Sequence, residues 1–235
     1  MSRATMTARA AELPQAPIYG IGRYKVNSED VDFEIGWPEF DRDVAWARGV
    51  LAAAGIGDGD VVLITAAQCE APWLSPVLRA VKAIGATSLI AEVFSFDAGR
   101  TAWFLQSFPV KAVVGLGPDT VDGWTEKGLI PTELLAGVEV VWARPGARAK
   151  LAELGPRLAQ LVMLGPALAM GQPGESAASV NPTEWRLDEA DGDVVVTSIA
   201  ERATSFDRAP TGIRARVATR AGGGQEVALA DTAAG

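Results

Sequence analysis

The sequence predicts an α/β fold, a mostly parallel sheet flanked by helices, followed by a small antiparallel β meander. Short apolar runs of strand length alternate with helical-period segments as far as residue 164. Those runs are apolar throughout rather than alternating, the pattern of strands covered on both faces. From Gly165 onward the long helical patterns stop, and a Gly/Pro/Ser-rich loop leads into shorter strand-like runs.

Taken in order, Phe40, Val44, Ala47, Val50 and Leu51 repeat at helical spacing, with Pro38 suited to the first turn and Gly55 to the stop. Gly57-Asp58-Gly59-Asp60 turns the chain into the strand Val61-Val62-Leu63-Ile64. Leu74, Val77, Leu78, Val81 and Ile84 mark a second helix ended by Gly85, and Ser88-Leu89-Ile90-Ala91 is the next strand. Asp97 is placed to cap a third helix carrying Trp103, Phe104 and Phe108, before the strand Ala112-Val113-Val114. A looser Gly/Pro-rich segment precedes the strand at residues 138–142, a helix over 147–158 and a strand at 161–164. Strands alternating with helices imply right-handed crossovers and a parallel sheet.

Beyond residue 165, strand-like runs occupy 184–187, 193–198, 213–218 and 226–229. Residues 18–164 are therefore read as the α/β domain and 165–221 as a β-rich subdomain with its connecting loop. The polar, alanine-rich residues 1–17 and the glycine-led residues 222–235 are read as flexible ends.

Composition removes several functions. The net charge of −8 lacks the basic face that neutralises phosphates, so no nucleic-acid partner is expected, and an acidic ligand needs a local positive site. With no histidine, Ser-His-Asp and Cys-His triads and histidine metal sites are excluded. Cys69, the only cysteine, excludes an intrachain disulfide and suits a reduced, cytoplasmic setting. No window is apolar enough for a membrane span, and residues 1–17 lack the apolar region of a secretory signal.

Two blocks in order carry a resemblance. The first is Ala53-Ala54-Gly55-Ile56-Gly57-Asp58-Gly59-Asp60-Val61-Val62, followed by Ala80-Val81-Lys82-Ala83-Ile84-Gly85-Ala86. The second runs through Gly165-Pro166-Ala167-Leu168-Ala169, Val180-Asn181 to Trp185, Gly192 to Ser198, and Arg208-Ala209-Pro210-Thr211-Gly212. The first resembles the helix, "G-x-x-x-G-D-x-V" turn and strand near the start of the adenylate-forming acyl-CoA synthetase superfamily. The second resembles the "G-P-G-V-A", "H-x-N-E-D-x-F", "G-E-L-V-x-T-S-L" and "R-Y-R-T-G-D" elements of phenylacetate-CoA-ligase-like enzymes. The resemblance implies a shortened ligase, because full ligases of this kind are much longer.

The groups that the resemblance would require for adenylation are missing. No Ser/Thr/Gly-rich phosphate loop ending in lysine is present, and the nearest glycine clusters are Gly115-Leu116-Gly117 and Gly171-Gln172-Pro173-Gly174. The family's magnesium carboxylate falls on Val162 and its ribose-binding aspartate on Ile213, and neither side chain can serve. The family's "E-C" and "H" positions fall near Gly171-Gln172 and Ser179, and the last lysine, Lys150, lies upstream of the second block. No cofactor is expected, and ATP-dependent ligation by this chain alone is not.

The ligand-binding candidates are Glu92, Asp97 and Arg100 at the end of the second strand, with Gly165, Arg208 and Thr211 from the resemblance. Their competing readings are a solvated Glu92, a helix-capping Asp97 and a surface Arg208. Cys69 follows a strand where a nucleophile can sit, but has no histidine base and is read as incidental. Trp73, Trp103, Trp124, Trp142 and Trp185 serve either an apolar acyl or aryl pocket or the core. Three functions remain open. One is an accessory, ligand-binding or oligomerising protein for an acyl or aromatic carboxylate or its CoA ester. The second is an ATP-independent enzyme for thioester hydrolysis, isomerisation or cyclisation, which requires a closed pocket with two convergent polar side chains. The third is half of a split ligase completed by a partner subunit. A strand edge left open by a shortened sheet also favours a homo-oligomer.

Overall fold

The structure, a computed structural model, describes residues 16–220 and 224–229. The expected flexible ends therefore lie largely outside the described residues, although 225–229, within the segment read as tail, form a strand.

The chain opens with a hairpin, β1 (Gly20–Val26) and β2 (Glu29–Ile35), paired from Gly20↔Ile35 to Val26↔Glu29. Its turn residues Asn27 and Ser28 both have positive φ, 50° and 70°, the geometry that matches the right-handed twist of two-residue hairpins. One hairpin face is charged, with Arg23 2.5 Å from Asp32. The other packs Phe33 and Ile35 into the core. α1 (Trp37–Ala53) follows, its first turn fixed by Glu39, whose Oε1 accepts the Gly36 N–H at 2.6 Å.

Then come β3 (Val61–Thr65), α2 (Ala71–Ala83), β4 (Thr87–Ala91), α3 (Ala98–Ser107) and β5 (Val110–Leu116). They match the expected order of strands and helices. The segment read as loose contains two helices, α4 (Pro118–Glu126) and α5 (Pro131–Leu134), each with proline at its start. β6 (Val140–Ala143) leads to α6 (Pro145–Lys150). The single helix expected over 147–158 is instead broken, because a 3-10 stretch at Ala152–Arg157 contains Gly155 at φ 55° and ψ −123°.

The remaining strands are β7 (Leu158–Leu164), β8 (Ala167–Met170), β9 (Ala177–Val180), β10 (Trp185–Ala190), β11 (Asp193–Ser198), β12 (Ala209–Thr219) and β13 (Gln225–Leu229). β8 and β9 occupy the region read as a loop. All except the first hairpin join one 11-stranded sheet of order β10-β11-β12-β13-β9-β8-β7-β6-β5-β3-β4. β4, β3, β5, β6 and β7 are parallel neighbours, and β7 turns antiparallel to β8 through Gly165-Pro166. The fold is thus α/β with a mixed sheet whose second half is antiparallel. No helix among the described residues is long and apolar enough to cross a membrane.

Three cores follow from this layering. α1, α2 and the first hairpin cover one sheet face around Val62, Ile64, Val77 and Trp142. α3, α4 and α6 cover the other around Leu63, Val113, Trp124 and Val141. The antiparallel strands enclose a third around Val162, Leu164, Trp185 and Val196.

The Gly-Asp turn before β3 is a structural clasp. Asp60 accepts the Gly57 N–H at 2.8 Å and the Lys111 ammonium at 3.0 Å. The Gly57 hydrogen bond and Lys111 hold the Asp60 carboxyl below its ordinary value of 3.8. A lowered folded-state value stabilises the fold above the unfolded value, and the gain disappears as pH falls through the folded one. Asp60→Asn is expected to cost about 1 kcal/mol near neutral pH, a modest figure because the site is partly solvated. Denaturant midpoints of the two proteins should converge as pH drops below about 3.8, the ordinary aspartate value, and a constant gap would contradict this role.

Candidate functional site

In open parallel sheets, ligands sit beyond the carboxyl ends of the strands where neighbouring crossovers diverge, here between β3 and β5. Gly115 stands at that point with φ 84°, and a Cβ there would lie 2.5 Å from the Thr65 carbonyl oxygen, so only glycine fits. Arg144, just after β6, donates from Nε to the Gly115 carbonyl at 2.8 Å. Its guanidinium also forms a two-point pair with Glu70, with Nη2–Oε2 at 2.6 Å. Glu70 in turn accepts the Ala67 N–H at 2.8 Å. Both side chains are largely buried, so the crevice is closed by the protein's own ion pair. Of the expected glycine clusters, Gly115-Leu116-Gly117 is a strand irregularity followed by the α4 cap. Gly171 and Gly174 donate to the Gln160 and Leu158 carbonyls in a turn. Cys69 is exposed on the turn Gln68–Glu70.

The residues singled out from sequence fall in three places. Glu92, Asp97 and Arg100 do meet beyond β4. Asp97 is buried, accepts the Glu92 N–H at 2.8 Å and pairs with Arg100 at 3.0 Å. It makes no side-chain cap to α3, because its carboxylate turns back to the strand end instead. Gly165 and Thr211 also meet, since a Cβ on Gly165 would lie 3.6 Å from the Thr211 Cα and 3.2 Å from the Tyr24 ring. The Gly165 carbonyl accepts the Trp73 indole N–H at 3.0 Å, and the Thr211 hydroxyl donates to the Val194 carbonyl at 2.7 Å. The first hairpin thus lies over this pair. Arg208 is exposed elsewhere, 3.6 Å from Asp188. Trp73, Trp124, Trp142 and Trp185 are core residues, whereas Trp103 is 54% exposed.

Sequence reading missed a polar network joining α1 to the antiparallel half. Glu184 is fully buried and accepts from Arg42 Nε at 2.5 Å and Arg202 Nη1 at 2.5 Å. Asp43 takes the Arg202 guanidinium at 3.2 Å and the Asn181 amide at 3.0 Å. Burial pushes the Asp43 carboxyl above its ordinary value, against the opposing pull of Arg202 and Asn181. The Arg202 guanidinium lies 4.4 Å above the Trp185 ring. Asp43, Asn181 and Arg202 line a cavity of about 20 Å³, room for one water and too small for an acyl or aryl group.

Two open grooves flank the parallel strands' carboxyl ends. One, of about 270 Å³, lies between α2 and β4 and is lined by Ile64, Leu74, Leu78 and Ile90 with Glu92 at its rim. A carboxylate there opposes an anionic ligand. The other, of about 500 Å³, lies beside the end of β6, where Pro145, Ala152, Leu158 and Leu229 form apolar walls. Arg148, Gln160 and Ser176 supply its polar groups. It has the size of a small-molecule site and the local cation that an acidic ligand needs. These three residues carry no local motif; they come from α6, β7 and the position just before β9, and only the fold brings them together.

No protein-family model matches the chain, and no curated protein matches it in sequence. Solved structures do match. A 2-hydroxyisobutyryl-CoA ligase in an open conformation, with 2-HIB-AMP and CoA, superposes at TM-score 0.66 with 16% identity, over 95% of this chain and 60% of that one. The same ligase in the postadenylation state with R3-HIB-AMP gives TM-score 0.68 and 15% identity, over 95% and 55%. A single-residue variant of E. coli MenE with bound OSB-AMS gives 0.54 and 10%, over 92% and 50%. The fold is that of adenylate-forming acyl-CoA ligases, and the chain spans between half and three fifths of their length.

Proposed function

We propose that this chain, with the fold of acyl-CoA ligases, is a non-adenylating homologue that works as an accessory protein binding an acyl or aromatic carboxylate or its CoA ester. The observation that carries the reading is the fate of two positions. Val162, where the phenylacetate-CoA-ligase-like pattern has its magnesium carboxylate, is buried in the β core, and Ile213, at the ribose position, packs against the same core. Neither offers an oxygen to a metal or a hydroxyl. The closed Arg144–Glu70 crevice and the hairpin over Gly165 and Thr211 support the same reading. The groove at Arg148, Gln160 and Ser176 is the site assigned to the ligand in this reading, the guanidinium meeting its carboxylate or phosphate and the apolar walls its chain or ring. A cytoplasmic setting accords with the lone Cys69.

Calorimetric titration with ATP and magnesium is expected to give no binding heat, and pyrophosphate release with a panel of carboxylates is expected to stay at the buffer rate. Clear turnover would defeat the reading. A CoA ester should bind, and Arg148→Ala should weaken it about tenfold through loss of a charge-assisted contact.

A further inference from the structure

The two ends of the 11-stranded sheet are treated differently by the sequence. β10, at one end, carries Arg186, Asp188 and Glu189, with Asp188 paired to Arg186 at 3.3 Å and Arg208 at 3.6 Å. Such charges discourage another strand from adding on. β4, at the other end, reads Thr87-Ser88-Leu89-Ile90-Ala91, with no charge, proline or bulge. Among the described residues nothing pairs with its outer side.

The backbone groups on the outer side of β4 belong to alternate residues. Thr87 N–H donates to the Asp60 carbonyl and the Ala91 carbonyl accepts from Ala66, so odd-numbered residues of β4 face β3. Ser88 and Ile90 therefore present their N–H and C=O groups outward. Because these two residues flank Leu89, an antiparallel copy of the same strand centred on Leu89 satisfies all four groups, Ser88 of each copy pairing with Ile90 of the other.

The charges around the edge agree with this register. On α2, Ala71, Ser75 and Leu78 face the groove beside β4, and Lys82 continues that row at helical spacing and is exposed. Glu92 stands at the opposite end of the same groove. In the antiparallel pairing Glu92 falls opposite Ala86 of the second copy, next to the α2 end that bears Lys82, and symmetry repeats the contact. Ile90, 50% exposed, lies opposite Ser88 of the second copy on the same face, with the second Ile90 as its diagonal neighbour.

We propose that two copies of this chain pair edge to edge through β4, antiparallel about a two-fold axis at Leu89, with Glu92 of each copy meeting Lys82 of the other. The surface is self-complementary, as a closed dimer requires. The pairing is independent of any ligand in the Arg148 groove.

Sedimentation of the full chain at micromolar concentration is expected to show a dimer. Ile90→Lys, which installs an edge charge, should give a monomer with an unchanged circular dichroism spectrum. Ser88→Pro, which deletes only an outward N–H, should do the same and stands in should the lysine variant fail to fold. Lys82→Glu and Glu92→Lys should each weaken the dimer about tenfold or more, and the double variant should restore it. A monomeric wild type, a dimer that neither β4 variant disturbs, or a double variant no tighter than the singles would overturn the proposal.

Discussion

Glu184→Ala is expected to lower unfolding stability by about 3–5 kcal/mol, the cost of removing one partner from a buried ion pair. Glu184 has no exposed surface and holds two guanidinium groups, with Arg42 Nε and Arg202 Nη1 both at 2.5 Å. With alanine in its place, Arg202, whose side chain is 6% exposed, would keep only Asp43 as a charge partner, at 3.2 Å. Arg42, at 38% exposure, can turn to solvent, so Arg42→Ala should cost markedly less. Equilibrium denaturation of the two variants checks the ordering. A loss under about 1 kcal/mol for Glu184→Ala would mean that the network is not closed to water as described.

Trp142→Ala should be of similar size, about 3–5 kcal/mol from lost burial and the cavity left behind. Trp142 is fully buried in the core beneath α1 and α2, and its indole N–H donates to the Gly171 carbonyl at 2.9 Å. Truncation therefore also strands a carbonyl at the end of β8. Trp142→Phe keeps most of the ring volume but not the donor, so its loss isolates the hydrogen bond at about 1–3 kcal/mol. Trp103→Ala, on the exposed face of α3, should stay within about 0.5 kcal/mol in the monomer. Thermal or denaturant unfolding distinguishes these cases, and equal losses for Trp142 and Trp103 would refute the burial assigned to them.

β3, β4, β5 and the helices between them were legible because strands covered on both faces become unbroken apolar runs, and their crossovers repeat at helical spacing. The first hairpin was not, since its outer face is a row of charges, including Arg23, Asp30 and Asp32, that reads as loop until the cross-strand pairing is seen. α4 was hidden by Pro118 and Gly123. Yet Pro118 only starts the helix, and at Gly123 a Cβ would meet Ala98 at 2.7 Å, so the glycine permits close packing. β8 and β9 were masked by the Gly- and Pro-containing turns around them, Gly165-Pro166, Gly171 to Gly174 and Asn181-Pro182. The expected trio at the end of β4 forms, because its members are local in sequence. The Glu184 network and the Arg144–Glu70 pair join residues as much as 159 and 74 positions apart, and no local pattern can announce them.

β7 has one more consequence, for how this architecture can be altered. It runs parallel to β6 and antiparallel to β8, with Ala159 and Leu161 supplying one core and Val162 and Leu164 another. Adding or deleting a single residue there would exchange the two sets of side chains and spoil both interiors at once. Natural length variation should therefore accumulate in the turns around this strand and spare the strand itself. Recombination that grafts the front of one such chain onto the back of another should succeed only when β7 is inherited whole with both of its neighbours.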